Sequence, residues 1–119
     1  SGHDPRGADD KRLPYADAAP GMAGAETLLA LSLTLVRDGV ITLPRLVAML
    51  SSTAASLLGV PAGQLTVGGD ADLVVFDPGA PWRIEDEKLQ GQAGNTPFDG
   101  LPVQGKVTTT VKGGEIISR

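Results

Sequence analysis

The segment Ser1-Gly2-His3-Asp4-Pro5-Arg6 brings an imidazole, a carboxylate and a guanidinium into one short stretch. His3 is the only histidine in the chain. An imidazole can take or give a proton near neutral pH or ligate a metal. A guanidinium presents a fork of donors to carboxylates and phosphates. These residues alone leave two readings open: the edge of an active site, or a solvated polar loop that holds a histidine. Arg6, Lys11 and Arg12 could together meet a carboxylate or a carbamoyl phosphate-like anion, or stay solvated as loop charges. Pro20 and Gly21 precede a long apolar run. The free N–H groups of a helix start there offer an anion site, and Pro also fits such a position on structural grounds alone.

Composition limits the chemistry further. The 119 residues suffice for one modest domain or a piece of a larger one. With no cysteine and one histidine, this chain holds neither a thiolate site nor a zinc site of several imidazoles. A net charge of −4 argues against a nucleic-acid or anionic-membrane surface. The longest apolar stretch, residues 28–36, is too short to span a bilayer. The first residues carry no charged-then-apolar leader, and the lack of cysteine fits a cytoplasmic location. Aromatics are only 3%, so the core must come from Ala, Leu and Val.

The elements that would position these residues follow from periodicity. Residues 1–21 show none and read as a loop. Residues 22–36 read as a helix that is apolar nearly all round, with Arg37 in its last turn and Gly39 as its stop. Thr42 caps a second helix with Pro44 in its first turn, and a third ends at Gly59. Residues 71–77 then read as a buried strand ended by Asp77-Pro78-Gly79. Residues 107–112 alternate, and Gly113-Gly114 turns them into a return strand. The loop between the strands has room for one helical turn near 85–90. Asn95, Thr96 and Asp99 suit turn chemistry, Asp70 and Asp72 flank a strand start, and Trp82 is a packing residue. So apolar a helix on so few strands predicts exposed apolar surface, or its cover by further chain or another copy.

Several of these segments resemble one family. Residues 69–77 (GDADLVVFD) look like the strand with which amidohydrolase-superfamily enzymes re-enter a small β-sandwich, and residues 105–117 (GKVTTTVKGGEII) are similar to its closing hairpin. Residues 95–100 (NTPFDG) resemble the dihydroorotase and hydantoinase group. Residues 10–36 resemble the dihydroorotase segment that follows the last barrel strand. The chain is thus identified as the C-terminal portion of a member of the dihydroorotase family of cyclic amidohydrolases.

The resemblance implies an α/β fold: the C-terminal piece of a metal-dependent TIM-barrel amidohydrolase, with part of a composite β-sandwich. Residues 1–60 would be the end of the barrel, with an active-site loop, the last barrel helix and the helices after it. Residues 61–119 would be the C-terminal share of the sandwich. Such sites lie at the C-terminal ends of the barrel strands. The implied reaction is the reversible cyclisation of N-carbamoyl-L-aspartate to dihydroorotate in pyrimidine biosynthesis, with zinc activating a hydroxide. The metal-binding histidines and lysine would lie upstream, so this chain alone would bind no zinc and be inactive.

In the family the opening segment reads Ser/Thr-Asp-His-Ala-Pro-His. Here Gly2 stands at the position of the metal-binding, proton-shuttling aspartate, and Arg6 at that of a substrate-binding histidine. His3 and Pro5 match. Asp4 is a weak substitute, because two residues of strand place it about 6–7 Å further along. Pro20 and Gly21 match a dipeptide whose backbone lines the substrate carboxylate pocket. The implied substrate-binding residues are therefore His3, Arg6, Pro20 and Gly21, with no catalytic residue confirmed and no metal ligand in this chain. Three functions follow: a working dihydroorotase, a non-catalytic paralogue supporting aspartate transcarbamoylase, and a hydantoinase or allantoinase. A homodimer is a further possible assembly.

Overall fold

A computed structural model describes residues 1–118. The elements are α1 (Ala8–Lys11), α2 (Leu28–Arg37), α3 (Leu43–Leu50), α4 (Ser52–Leu58), β1 (Leu73–Arg83), a 3-10 turn (Asp86–Lys88), β2 (Pro102–Lys112) and β3 (Glu115–Ser118). The strands form one antiparallel sheet in the order β1-β2-β3. Among the described residues no helix is long and apolar enough to cross a membrane.

The first apolar helix is shorter than its pattern. It begins at Leu28, not at residue 22. The preceding backbone groups are spent elsewhere: Met22 bridges His3, its carbonyl accepts from Asp4 N at 2.8 Å, and Ala23 N donates to the Asn95 carbonyl at 2.8 Å. Gly21 has φ +119°, outside helical geometry. Pro20 and Gly21 therefore do not open a helix, and the helix-start anion site expected of them is not formed.

The other helix signals hold. Arg37 closes α2, and Gly39 takes φ +71° after it. Thr42 Oγ1 accepts from Arg45 N at 3.4 Å at the start of α3, with Pro44 in the first turn. α4 stops at left-handed Gly59. One helical turn, α1, interrupts the loop expected over residues 1–21.

β1 runs on past Asp77 to Arg83. Asp77-Pro78-Gly79 is a bulge, not a strand end: pairing passes from Asp77↔Lys106 to Pro81↔Gln104. Asp77 Oδ1 accepts from Gly79 N at 2.8 Å, and Pro78, which has no N–H to give a ladder, sits in the irregular stretch. A second shift follows Val75, whose partner is Thr109, while Phe76 pairs with Val107. Thr108 drops out of the ladder and donates its hydroxyl to the Val75 carbonyl at 3.2 Å, which interrupts the alternation expected across Val107, Thr109 and Val111. The Gly113-Gly114 hairpin forms as expected, with Lys112 opposite Glu115.

The core is small. Ala30 of α2, Ile84 just after β1, and Val103 of β2 form its centre, with Leu31, Trp82 and Phe98 packed against it. Leu33 of α2 lies against Gly105 of β2, where a Cβ would collide with the leucine methyl. Trp82 packs as expected and also donates Nε1–H to the Gly105 carbonyl at 2.9 Å. The strand expected to be buried is not: Val74 and Val75 are 56% and 54% exposed. Of the apolar helix α2, from which exposed apolar surface was expected, only Leu35 is an exposed large hydrophobic, at 40%; the larger exposures, Leu57 at 83% and Leu58 at 77%, are on α4. The radius of gyration, 16.1 Å, exceeds the roughly 13.5 Å of a compact domain of this length.

Candidate functional site

The opening segment lies beside residues 20–25, and Asn95 joins the two. His3 is fixed by its ring: Nδ1 accepts from Gly24 N at 3.1 Å and from Ala25 N at 3.2 Å. Those bonds assign the ring proton to Nε2. Nδ1 is thus used up, and the imidazole offers only an Nε2–H donor. Asp4 is used as well. Its backbone N–H donates to Met22, and its carboxylate meets Arg6 Nη2 at 2.8 Å. Arg6 donates from its backbone to Asn95 Oδ1 at 2.7 Å and from Nε to the Pro20 carbonyl at 3.1 Å. Lys11 Nζ donates to the Ala19 carbonyl at 2.8 Å.

The structure therefore brings His3, Asp4, Arg6, Pro20 and Gly21 together. A cavity of about 350 Å³ opens beside them, lined by Lys11, Gly21, Met22, Asp86, Asn95 and Thr96 among others. The close approach explains Gly21: a Cβ there would lie 2.5 Å from the Asp4 carbonyl oxygen. Gly2 differs. It has φ +60° with open space around it, so a side chain would fit by volume but meet an unfavourable backbone.

These residues do not fit a metal. Among the described residues no group of three or more His, Cys, Asp or Glu gathers. Position 2 has no side chain, the Asp4 carboxylate is paired with Arg6, and His3 Nδ1 is engaged.

Asn95 is the residue the sequence reading missed. Turn chemistry was expected of it, yet Nδ2 donates to the Gly21 carbonyl at 3.1 Å and Oδ1 accepts from Arg6. Asp99 also departs from a local turn role: Oδ1 accepts from Asp86 N at 2.9 Å. Thr96 keeps one, its Oγ1 accepting from Phe98 N. A second tie runs from Gln90 N to Glu26 Oε1 at 2.7 Å. Away from the rim, Asp72 accepts from Lys112 Nζ and from Gly113 N. Those bonds hold the Asp72 carboxyl below its ordinary range, and the Asp72 bond holds the Lys112 ammonium above its own.

The amidohydrolase family model matches residues 14–117. The chain is 44% identical over 115 residues to a dihydroorotase of Syntrophus aciditrophicus (strain SB), covering 97% of this chain and 27% of that protein. It is 46% identical over 117 residues to a dihydroorotase-like protein of Pseudomonas aeruginosa, covering 98% and 27%. Among solved structures, an L-hydantoinase (dihydropyrimidinase) from Arthrobacter aurescens matches with TM-score 0.80 at 34% identity, over 87% of this chain and 24% of that one. A D-hydantoinase from Bacillus sp. AR9 matches with TM-score 0.86 at 28% identity, over 98% and 27%. The chain thus spans about a quarter of the length of these relatives.

Proposed function

The chain belongs to the amidohydrolase family, and on that premise we propose that it is the C-terminal quarter of a dihydroorotase-like protein that keeps the scaffold without the hydrolysis. One observation carries the reading. Where the resemblance calls for a metal-binding, proton-shuttling aspartate, the chain has Gly2 with φ +60°. Glycine neither ligates nor carries a proton, and the carboxylate two residues on, Asp4, is held by Arg6. In this reading residues 1–60 close the barrel, residues 61–119 belong to the β-sandwich, and the protein supports a cytoplasmic partner, aspartate transcarbamoylase. The 46% identity to a protein named dihydroorotase-like agrees with it.

A second reading has its own support. Lys11, Arg6 and Asn95 tie the loop carbonyls of Ala19, Pro20 and Gly21 in place, and a protein named dihydroorotase is 44% identical. A working zinc enzyme interconverting N-carbamoyl-L-aspartate and dihydroorotate would keep such a loop, with its acid supplied from elsewhere. The hydantoinase neighbours admit a related cyclic-amide substrate.

The test uses the full-length protein. It is mixed with aspartate transcarbamoylase and run on a sizing column, and is assayed with dihydroorotate and hydantoin after zinc loading. Co-elution without turnover is expected. Turnover abolished by a chelator overturns the scaffold reading, and the preferred substrate then decides between dihydroorotase and hydantoinase.

A further inference from the structure

Asn95 serves three backbone groups far away in sequence. Oδ1 accepts from Arg6 N, 89 positions away, at 2.7 Å. Nδ2 donates to the Gly21 carbonyl, 74 positions away, at 3.1 Å. Its own carbonyl accepts from Ala23 N at 2.8 Å. One end of the amide holds the opening segment and the other holds the loop before α2. An amide is the short side chain that accepts at one end and donates at the other. A carboxylate accepts only, and an apolar side chain does neither.

We propose that Asn95 is a positioning residue for the rim: it sets Arg6 and the Gly21 carbonyl at a fixed spacing, and so shapes whatever the rim binds. What the rim does rests on the reading above; the placement does not. Asp4, whose N–H reaches Met22, and Arg6, whose Nε reaches Pro20, follow from that spacing.

Hydrogen exchange read at single residues in the full-length protein tests it. Asn95→Asp keeps the Oδ1 acceptor and loses the donor toward Gly21. The Arg6 amide should stay within about twofold of its original rate, while the Asp4 amide, bonded to the Met22 carbonyl next to the freed Gly21, exchanges roughly five- to tenfold faster. In Asn95→Leu both amides should speed up, with the β1–β2 ladder unchanged. If the two variants give the same pattern, or if the ladder accelerates with the rim, Asn95 is an ordinary structural residue and the proposal fails. Should Asn95→Leu not fold, the Arg6-against-Asp4 contrast in Asn95→Asp still decides. Hydrolysis by the unmodified protein would overturn the scaffold reading and leave this exchange pattern intact. Identical Asp and Leu patterns would overturn Asn95's role and leave that reading intact.

Discussion

The amino-terminal rim and the carboxy-terminal sheet are built on opposite plans. At the rim, residues 1–6, 20–25 and 95 are joined by polar bonds between positions remote in sequence. The sheet is joined by neighbours: β2 pairs with β3 across a two-glycine turn, and β1 lies beside β2. Apolar packing ties helix to sheet at the cluster of Ala30, Ile84 and Val103, with Leu33 against Gly105. Backbone ladders between strands consecutive in the chain and a small apolar centre make the sheet, while side-chain hydrogen bonds make the rim. The two should therefore respond differently to substitution.

The largest effect is expected at the shared core. Ile84→Ala removes a fully buried side chain and should cost about 2–5 kcal/mol in a urea melt of the full-length protein, loosening both regions. Next comes Gly21→Ala. Its Cβ would meet the Asp4 carbonyl at a φ of +119°, so about 1–3 kcal/mol should be lost, with exchange accelerated at residues 3–6 and not in the β1–β2 ladder. Acceleration of the ladder as well would end the distinction between the regions.

Asp4→Ala comes third. Arg6 and Asp4 are 39% and 50% exposed, so the pair is screened and its loss should shift stability by no more than about 1 kcal/mol. A larger shift would mean that the rim is held by charge rather than by Asn95. The smallest effect is that of pH on the exposed Asp72–Lys112 clip of the sheet. The Asp72 carboxyl is held low by Lys112 and Gly113, so its contribution is present above the ordinary carboxylate range and fades as pH falls through its lowered value. The Lys112 ammonium is held high, so its contribution fades only as pH rises through its raised value in the alkaline range. The Gly113 amide resonance should keep its bonded shift to a pH below that at which free carboxylates protonate.

The same contrast governs what the sequence made legible. Helix stops at Gly39 and Gly59, the Thr42 cap and the Gly113-Gly114 hairpin are local events, and each was read from a few adjacent residues. Periodicity places the start of α2 too early because the groups that hold residues 22 and 23 out of the helix are Asp4 and Asn95, far away in sequence. Asp77-Pro78-Gly79 has the composition of a strand end, and that composition suits a bulge equally well. The exposed Val74 and Val75 show that an apolar run records a preference for burial and does not say what supplies it. At the rim, His3, Asp4 and Arg6 stood out by type. That Nδ1 of His3 and the Asp4 carboxylate are already engaged could not be read from type.

The central claim is that the rim lacks the acid on which hydrolysis would depend. Gly2→Asp would put a carboxylate back at that position, in open space, at a backbone cost of no more than about 1–2 kcal/mol. Single-turnover hydrolysis of dihydroorotate by the zinc-loaded full-length protein tests the claim most directly. No product above the uncatalysed background should form with the unmodified protein. Product that forms with it and disappears on chelation would contradict the account.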